Sequence, residues 1–165
     1  MSQNKLRGRV WRFGDDINTD IISPAEYMDQ SYEVIGGHAM ERAMPGFAQA
    51  IAPGDFIVAG SNFGSGSSRE TAQIALKYAG VGAVVAQSFA RIFFRNCINV
   101  GVPVLTLGDT APLNQGDEIE IDLLEGVIEN RTTGQILQGS KLPEHVLAIV
   151  RCGGLKEYLK MYMNQ

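Results

Sequence analysis

The sequence predicts an α/β fold in one domain, with a parallel strand–helix part joined to an antiparallel C-terminal meander. Two patterns carry this expectation. Short apolar runs at 56–59, 82–86 and 102–105 are separated by two stretches with helical spacing. Beyond residue 117 the apolar period falls to two, and turn dipeptides recur. The chain has 165 residues, of which 45% are apolar and 19% charged, enough for a single globular domain with one sizeable core.

Residues 6–13 alternate loosely and run into Gly14-Asp15-Asp16, a strand followed by a turn. Residues 17–24 form a short mixed segment stopped by Pro24. Residues 25–49 contain Gly36-Gly37 and Pro45-Gly46 and read as loop with short helices. Pro53-Gly54-Asp55 turns the chain into the first buried strand, 56–59. Residues 69–79 set Ala72, Ala75, Leu76 and Ala79 at helical spacing, and Gly80 ends that helix. A second strand at 82–86 leads to a second helix at 88–98, with Ser88 as its N-cap, and then to a third strand at 102–105. Strand, helix, strand, helix, strand implies right-handed crossovers and a parallel sheet. The meander runs through 118–123, 127–130 and 135–138, with turns at Glu125-Gly126 and Thr133-Gly134. Helices at 143–150 and 155–163 close the chain around Gly153-Gly154.

Composition removes several function classes. Fourteen Lys+Arg against eighteen Asp+Glu give a net charge of −4, and no basic run recommends nucleic-acid binding. No apolar run reaches the roughly 18 residues of a membrane helix, and residues 1–18 lack the apolar core of a signal peptide, so a cytoplasmic chain is expected. Cys97 and Cys152 are too few for a zinc or iron–sulfur site and read as structural thiols. His38 and His145 read as surface or core-edge residues. Asn130-Arg131-Thr132 fits a glycosylation sequon by accident, and the acidic run 117–122 reads as a solvated strand face rather than a metal site.

The informative stretch is Gly60-Ser61-Asn62-Phe63-Gly64-Ser65-Gly66-Ser67-Ser68-Arg69-Glu70, between a buried strand and a helix N-terminus. Unpaired backbone N–H groups and the helix dipole favour an anion there, and glycines let the backbone approach it. Arg69 offers a planar fork suited to a carboxylate or phosphate. No lysine makes this a P-loop, Arg69 stands where a dinucleotide fingerprint needs glycine, and no serine is flanked as in a nucleophile elbow. Read by spacing alone, the loop is an anion site or a glycine turn in which Ser67 or Ser68 caps the helix.

Three motifs together resemble the swivelling domain of the aconitase family. They are Asn62-Phe63-Gly64-Ser65-Gly66-Ser67-Ser68-Arg69-Glu70, Gln87-Ser88-Phe89-Ala90-Arg91-Ile92-Phe93-Phe94-Arg95-Asn96, and Asn18-Thr19-Asp20-Ile21-Ile22. Their order, the chain length and the tail Gly153-Gly154-Leu155 are similar to the free-standing small subunits of isopropylmalate-type dehydratases. The resemblance implies one swivelling β/β/α domain over 1–165 and a large partner subunit that holds a [4Fe–4S] cluster through its own cysteines. It implies a hydro-lyase reaction in which a malate-type diacid, 2- or 3-isopropylmalate first, loses and regains water in leucine biosynthesis. Homoaconitate, citraconate or dimethylmalate would be alternative substrates, and a non-catalytic binding module is the alternative from another class.

The resemblance also assigns roles. Ser67 becomes the base that removes a proton from carbon, and Ser68, Arg69 and Asp20 become substrate-binding residues. A serine base needs a stabilised alkoxide, which helix-terminal N–H groups and an arginine provide. Tyr27, Met28, Asp29 and Gln30 occupy the segment that selects the substrate's side chain; Met28 suits an isopropyl group and Asp29 gives no such match. Arg91 and Arg95, four apart on one helix face, read equally as solvated, partner-facing or substrate-facing. Thr71 stands where the family usually has histidine.

Overall fold

The computed structural model describes residues 4–66 and 71–163. Seven strands form a mixed sheet in the order β4-β3-β2-β1-β5-β6-β7. They are β1 (Lys5–Arg12), β2 (Phe56–Ala59), β3 (Ala83–Ala86), β4 (Val104–Thr106), β5 (Glu118–Asp122), β6 (Val127–Asn130) and β7 (Ile136–Gln138). β1 to β4 pair in parallel, and β1, β5, β6 and β7 pair antiparallel. The expected division into a parallel part and an antiparallel meander is therefore present.

β1 belongs to both parts, which explains its loose alternation. Val10, Trp11 and Arg12 lie parallel to Phe56, Ile57 and Val58, while Lys5 to Arg9 face β5 from Asp122 to Glu118. The changeover is pinned by Asp55, only 6% exposed. Its Oδ1 accepts from the Arg9 N–H at 3.0 Å, and its Oδ2 accepts from Trp11 Nε1 at 3.0 Å and the Ala52 N–H at 3.1 Å. Gly8 permits this close approach, because a Cβ there would sit 2.7 Å from the Gly54 carbonyl oxygen.

The strands β2 and β3 are apolar throughout because both faces are covered. Ile57, Ala59, Val84, Ala86 and Val104 pack beneath helices α4 (Thr71–Ala79) and α5 (Arg91–Asn99) with Ala75, Leu76, Phe93 and Cys97. Their neighbours Phe56, Val58, Ala83, Val85 and Leu105 join Ile119, Ile121, Ile128 and Leu147 in a second cluster. Before β2 lie α1 (Thr19–Ile22), a 3-10 turn (Ala25–Tyr27), α2 (Tyr32–Gly37) and α3 (Phe47–Ala50). α2 packs closely on α4, since a Cβ on Gly36 would lie 2.6 Å from Tyr78 Cβ. After the meander come α6 (Glu144–Arg151) and α7 (Leu155–Met163).

Within the mixed segment 17–24, Asn18 Oδ1 accepts from the Ile21 N–H at 2.9 Å and caps α1. Two local expectations are corrected. Ser88 does not cap α5, which starts at Arg91 behind Ala90. Phe63 claims that stretch instead, donating its N–H to the Ser88 carbonyl at 3.0 Å and accepting from the Ala90 N–H at 2.9 Å. Asp117 is not on the solvated face of its strand: it is 8% exposed and accepts from the Asn114 N–H and from Asn130 Nδ2. Asn130 is fully buried and also donates to the Pro112 carbonyl, so the sequon offers no free amide.

Asp55→Ala should leave three donors around a buried position without their acceptor. We expect a loss of about 3 kcal/mol in urea unfolding, on the scale of unsatisfied buried groups. An unchanged midpoint would show that the sheet changeover does not rest on this carboxylate.

Candidate functional site

Adjacent parallel strands leave a sheet at the same end. β1 and β2 therefore deliver residues 13–19 and 60–66 side by side, and backbone bonds join them. The Gly60 N–H donates to the Gly14 carbonyl at 3.0 Å, Asp16 to Ser61 at 2.9 Å, Gly64 to Ile17 at 2.7 Å, and Thr19 to Ser65 at 2.8 Å. Side chains add to this. Asp15 Oδ1 accepts from the Ser61 N–H at 2.8 Å, and Asp16 Oδ1 from Asn62 Nδ2 at 3.1 Å. The Asn62 N–H donates to Ser88 Oγ at 2.8 Å, which brings the Ser88-Phe89-Ala90 stretch to the same edge.

Two glycines are demanded by this geometry. Gly64 has φ +84, and a Cβ there would fall 2.2 Å from Phe93 Cγ. Gly60 abuts the Asp15 carboxylate so closely that a Cβ would collide with Oδ1. Gly66, at φ +109, leads the chain over the buried Thr19 hydroxyl, the last described residue before α4.

Ser67, Ser68, Arg69 and Glu70 lie outside the described residues. Flanking them, Gly66 sits against Thr19 and Thr71 begins α4. Asp20, the residue after Thr19, therefore stands one position from the loop's last described backbone bond. Its Oδ1 accepts from the Ala25 N–H at 3.3 Å and its Oδ2 is bonded by Arg42 Nη1. Tyr27 is half-buried, whereas Met28, Asp29 and Gln30 are exposed. The Tyr27 ring stacks on His38 with centroids 3.6 Å apart and planes 5° from parallel. Partial desolvation, then the charges of Glu41 and Glu26, push the Tyr27 hydroxyl's pKa up, with Arg42 opposing.

Arg91 and Arg95 are both exposed on α5. Arg91 lines a shallow cleft of about 380 Å³ with Ser88, Phe89, Phe94 and Thr106, at the sheet edge that also carries the glycine loop. Cys97 is fully buried, and burial pushes its thiol well above the ordinary range. Arg42 carried no signal in the sequence, since no spacing rule joins position 42 to 20 or 26, whereas Glu41 stands three residues from its partner His38, a spacing the sequence does show.

A family model described as the aconitase C-terminal domain matches residues 21–110, from α1 through the glycine loop and beyond β4. The chain belongs to that family. The 3-isopropylmalate dehydratase small subunit 2 of Archaeoglobus fulgidus is 52% identical over 96% of this chain and 96% of its own length. The small subunit 1 of the same enzyme from Thermotoga maritima is 50% identical over 95% of this chain and 96% of its own. A Methanocaldococcus jannaschii protein named isopropylmalate/citramalate isomerase small subunit is 49% identical over 97% of this chain and 96% of its own. The crystal structure of 3-isopropylmalate dehydratase (leuD) from Methanocaldococcus jannaschii superposes with a TM-score of 0.92 at 40% identity, covering 97% of this chain and 96% of that one.

Membership in the aconitase family points to iron–sulfur chemistry, but this chain's donors do not fit a cluster. It has two cysteines, and one is sealed inside the core with a thiol that resists ionisation. Among the described residues no group of three or more His, Cys, Asp or Glu could hold a metal ion, and no helix is long and apolar enough to cross a membrane.

Gly64→Ala should be among the most damaging changes to this loop. A left-handed backbone and a clash with the Phe93 ring should together cost about 2–4 kcal/mol. Gly46→Ala is the control, since Gly46 has φ +83 but open space around it, and should cost only about 1 kcal/mol. Equal losses in thermal or urea unfolding would show that the contact with Phe93 does not shape the loop.

Proposed function

We propose that this chain is the small subunit of a hydro-lyase that interconverts 2- and 3-isopropylmalate by dehydration and rehydration, a step of leucine biosynthesis. The observation that carries the reading is about 50% identity over nearly the full length to relatives bearing that name. The relative named for both isopropylmalate and citramalate favours a second reading, in which a methyl-substituted diacid is also accepted. The whole chain, 1–165, is read as one swivel-type domain working in the cytoplasm, where two unpaired cysteines are ordinary.

In this account Ser67 takes the proton from the carbon next to the one bearing the hydroxyl. Arg69 grips one substrate carboxylate with two parallel N–H bonds, and Ser68 contributes a hydroxyl donor. Asp20 is the third substrate-binding residue, a carboxylate held in place on the α1 turn by the Ala25 N–H and Arg42. The glycine loop supports these roles by bringing backbone close to the α1 turn that carries Asp20. Departure of hydroxide from the neighbouring carbon needs an acid that these residues do not supply. With too few cysteines here for a cluster, a larger partner subunit is the proposed holder of both the cluster and that acid. Loss of water gives an unsaturated diacid; water returned with the opposite orientation gives the isomer, with no net redox change.

Ser67→Ala tests the assignment. A base acts on proton transfer rather than on binding, so turnover in the reconstituted complex should fall by about 10²-fold or more while the Michaelis constant moves much less. If Ser67 only caps α4, the same change should cost about 1 kcal/mol of stability and leave turnover per folded molecule intact. Melting temperature and turnover measured on one preparation separate the two.

A further inference from the structure

In the segment expected to select the substrate's side chain, residues 27–30, Tyr27 is half-buried and the other three are exposed. The segment is held from one side by residues 38–42. Met40 sets that stretch in place: it is fully buried, its φ is +59, and its N–H donates to the Ile22 carbonyl at 3.0 Å. From there Arg42 reaches two segments at once, with Nη1 on Asp20 and Nη2 on Glu26 Oε1 at 3.4 Å. His38 supplies the plane on which Tyr27 stacks. Glu41 fixes that plane by accepting from His38 Nδ1 at 2.8 Å.

We infer that Arg42 and His38 are positioning residues for substrate choice: they clamp the 26–30 segment to α1 and thereby fix where Tyr27 and Met28 stand relative to the glycine loop. The inference rests on the proposed diacid chemistry. The connection to the loop is continuous. The Ser65 carbonyl accepts from Thr19, Asp20 accepts from Ala25 and Arg42, and Arg42 holds Glu26. These ion pairs are about half exposed, so they add little to global stability. What they fix is the position of a short turn. A pocket wall that moves changes the discrimination between an isopropyl and a methyl substituent, while the grip on the carboxylates shared by both substrates is kept. Such discrimination amounts to a factor of about 10 or more for small apolar differences.

The test uses the chain reconstituted with its larger subunit and two substrates, 3-isopropylmalate and citraconate. kcat and KM are measured for each with the wild type, Arg42→Met, Arg42→Lys and His38→Ala, alongside melting temperatures. The ratio of kcat/KM between the two substrates should shift by about tenfold in Arg42→Met, carried by KM for 3-isopropylmalate. Arg42→Lys keeps one of the two ion pairs and should recover part of that shift. His38→Ala should move the ratio in the same direction, and it carries the test by itself if Arg42→Met does not fold. Equal losses on both substrates, or an unchanged ratio in both Arg42→Met and His38→Ala, would overturn the inference. A wild-type complex that turns over neither diacid would overturn the function on which it rests, and the inference with it.

Discussion

Everything at the candidate site follows from β1 having two different neighbours. Its last residues pair in parallel with β2, and its first residues pair antiparallel with β5. Parallel pairing sends the chain out of β1 and β2 at the same sheet edge, so residues 13–19 and 60–66 must run together. Asp55 makes the arrangement definite by binding the backbone of β1 at Arg9, the indole of Trp11 and the start of its own turn. One buried carboxylate thus pins the changeover in the sheet.

That edge is where open α/β sheets bind their ligands, outside the carboxyl ends of the strands. Here the glycines do a specific task. Gly60 and Gly64 bring the loop against Asp15 and the Phe93 ring at distances no Cβ tolerates. Gly64 takes its positive φ at low cost, and the N–H groups of Gly60 and Gly64 meet the Gly14 and Ile17 carbonyls rather than water.

Much of the fold was legible because its signals were local. The apolar runs at 56–59 and 82–86 announced strands covered on both faces, and the alternation at 118–122 announced a half-buried one. What was illegible depended on partners distant in sequence. Ser88 looked like a helix cap, yet its hydroxyl serves the Asn62 N–H and its carbonyl serves Phe63. Asp117 looked like part of an acidic face, yet Asn130 draws it inward. The glycine loop and the Asn18-Thr19-Asp20 turn were both visible as motifs, but their bond through Thr19 and Ser65 was not. Arg42 and the stacking of Tyr27 on His38 left no trace, because no periodicity connects the partners.

We propose that this chain contributes a base and a carboxylate clamp but no cluster, and that its activity is shared with a larger subunit. The direct measurement is anaerobic turnover of 3-isopropylmalate by the purified chain, by the larger subunit, and by the two together, with a visible absorption spectrum of each. The expected result is a colourless and inactive chain, and isomerisation only in the mixture. A brown chain with iron-dependent absorbance, or isomerisation by this chain alone, would contradict it.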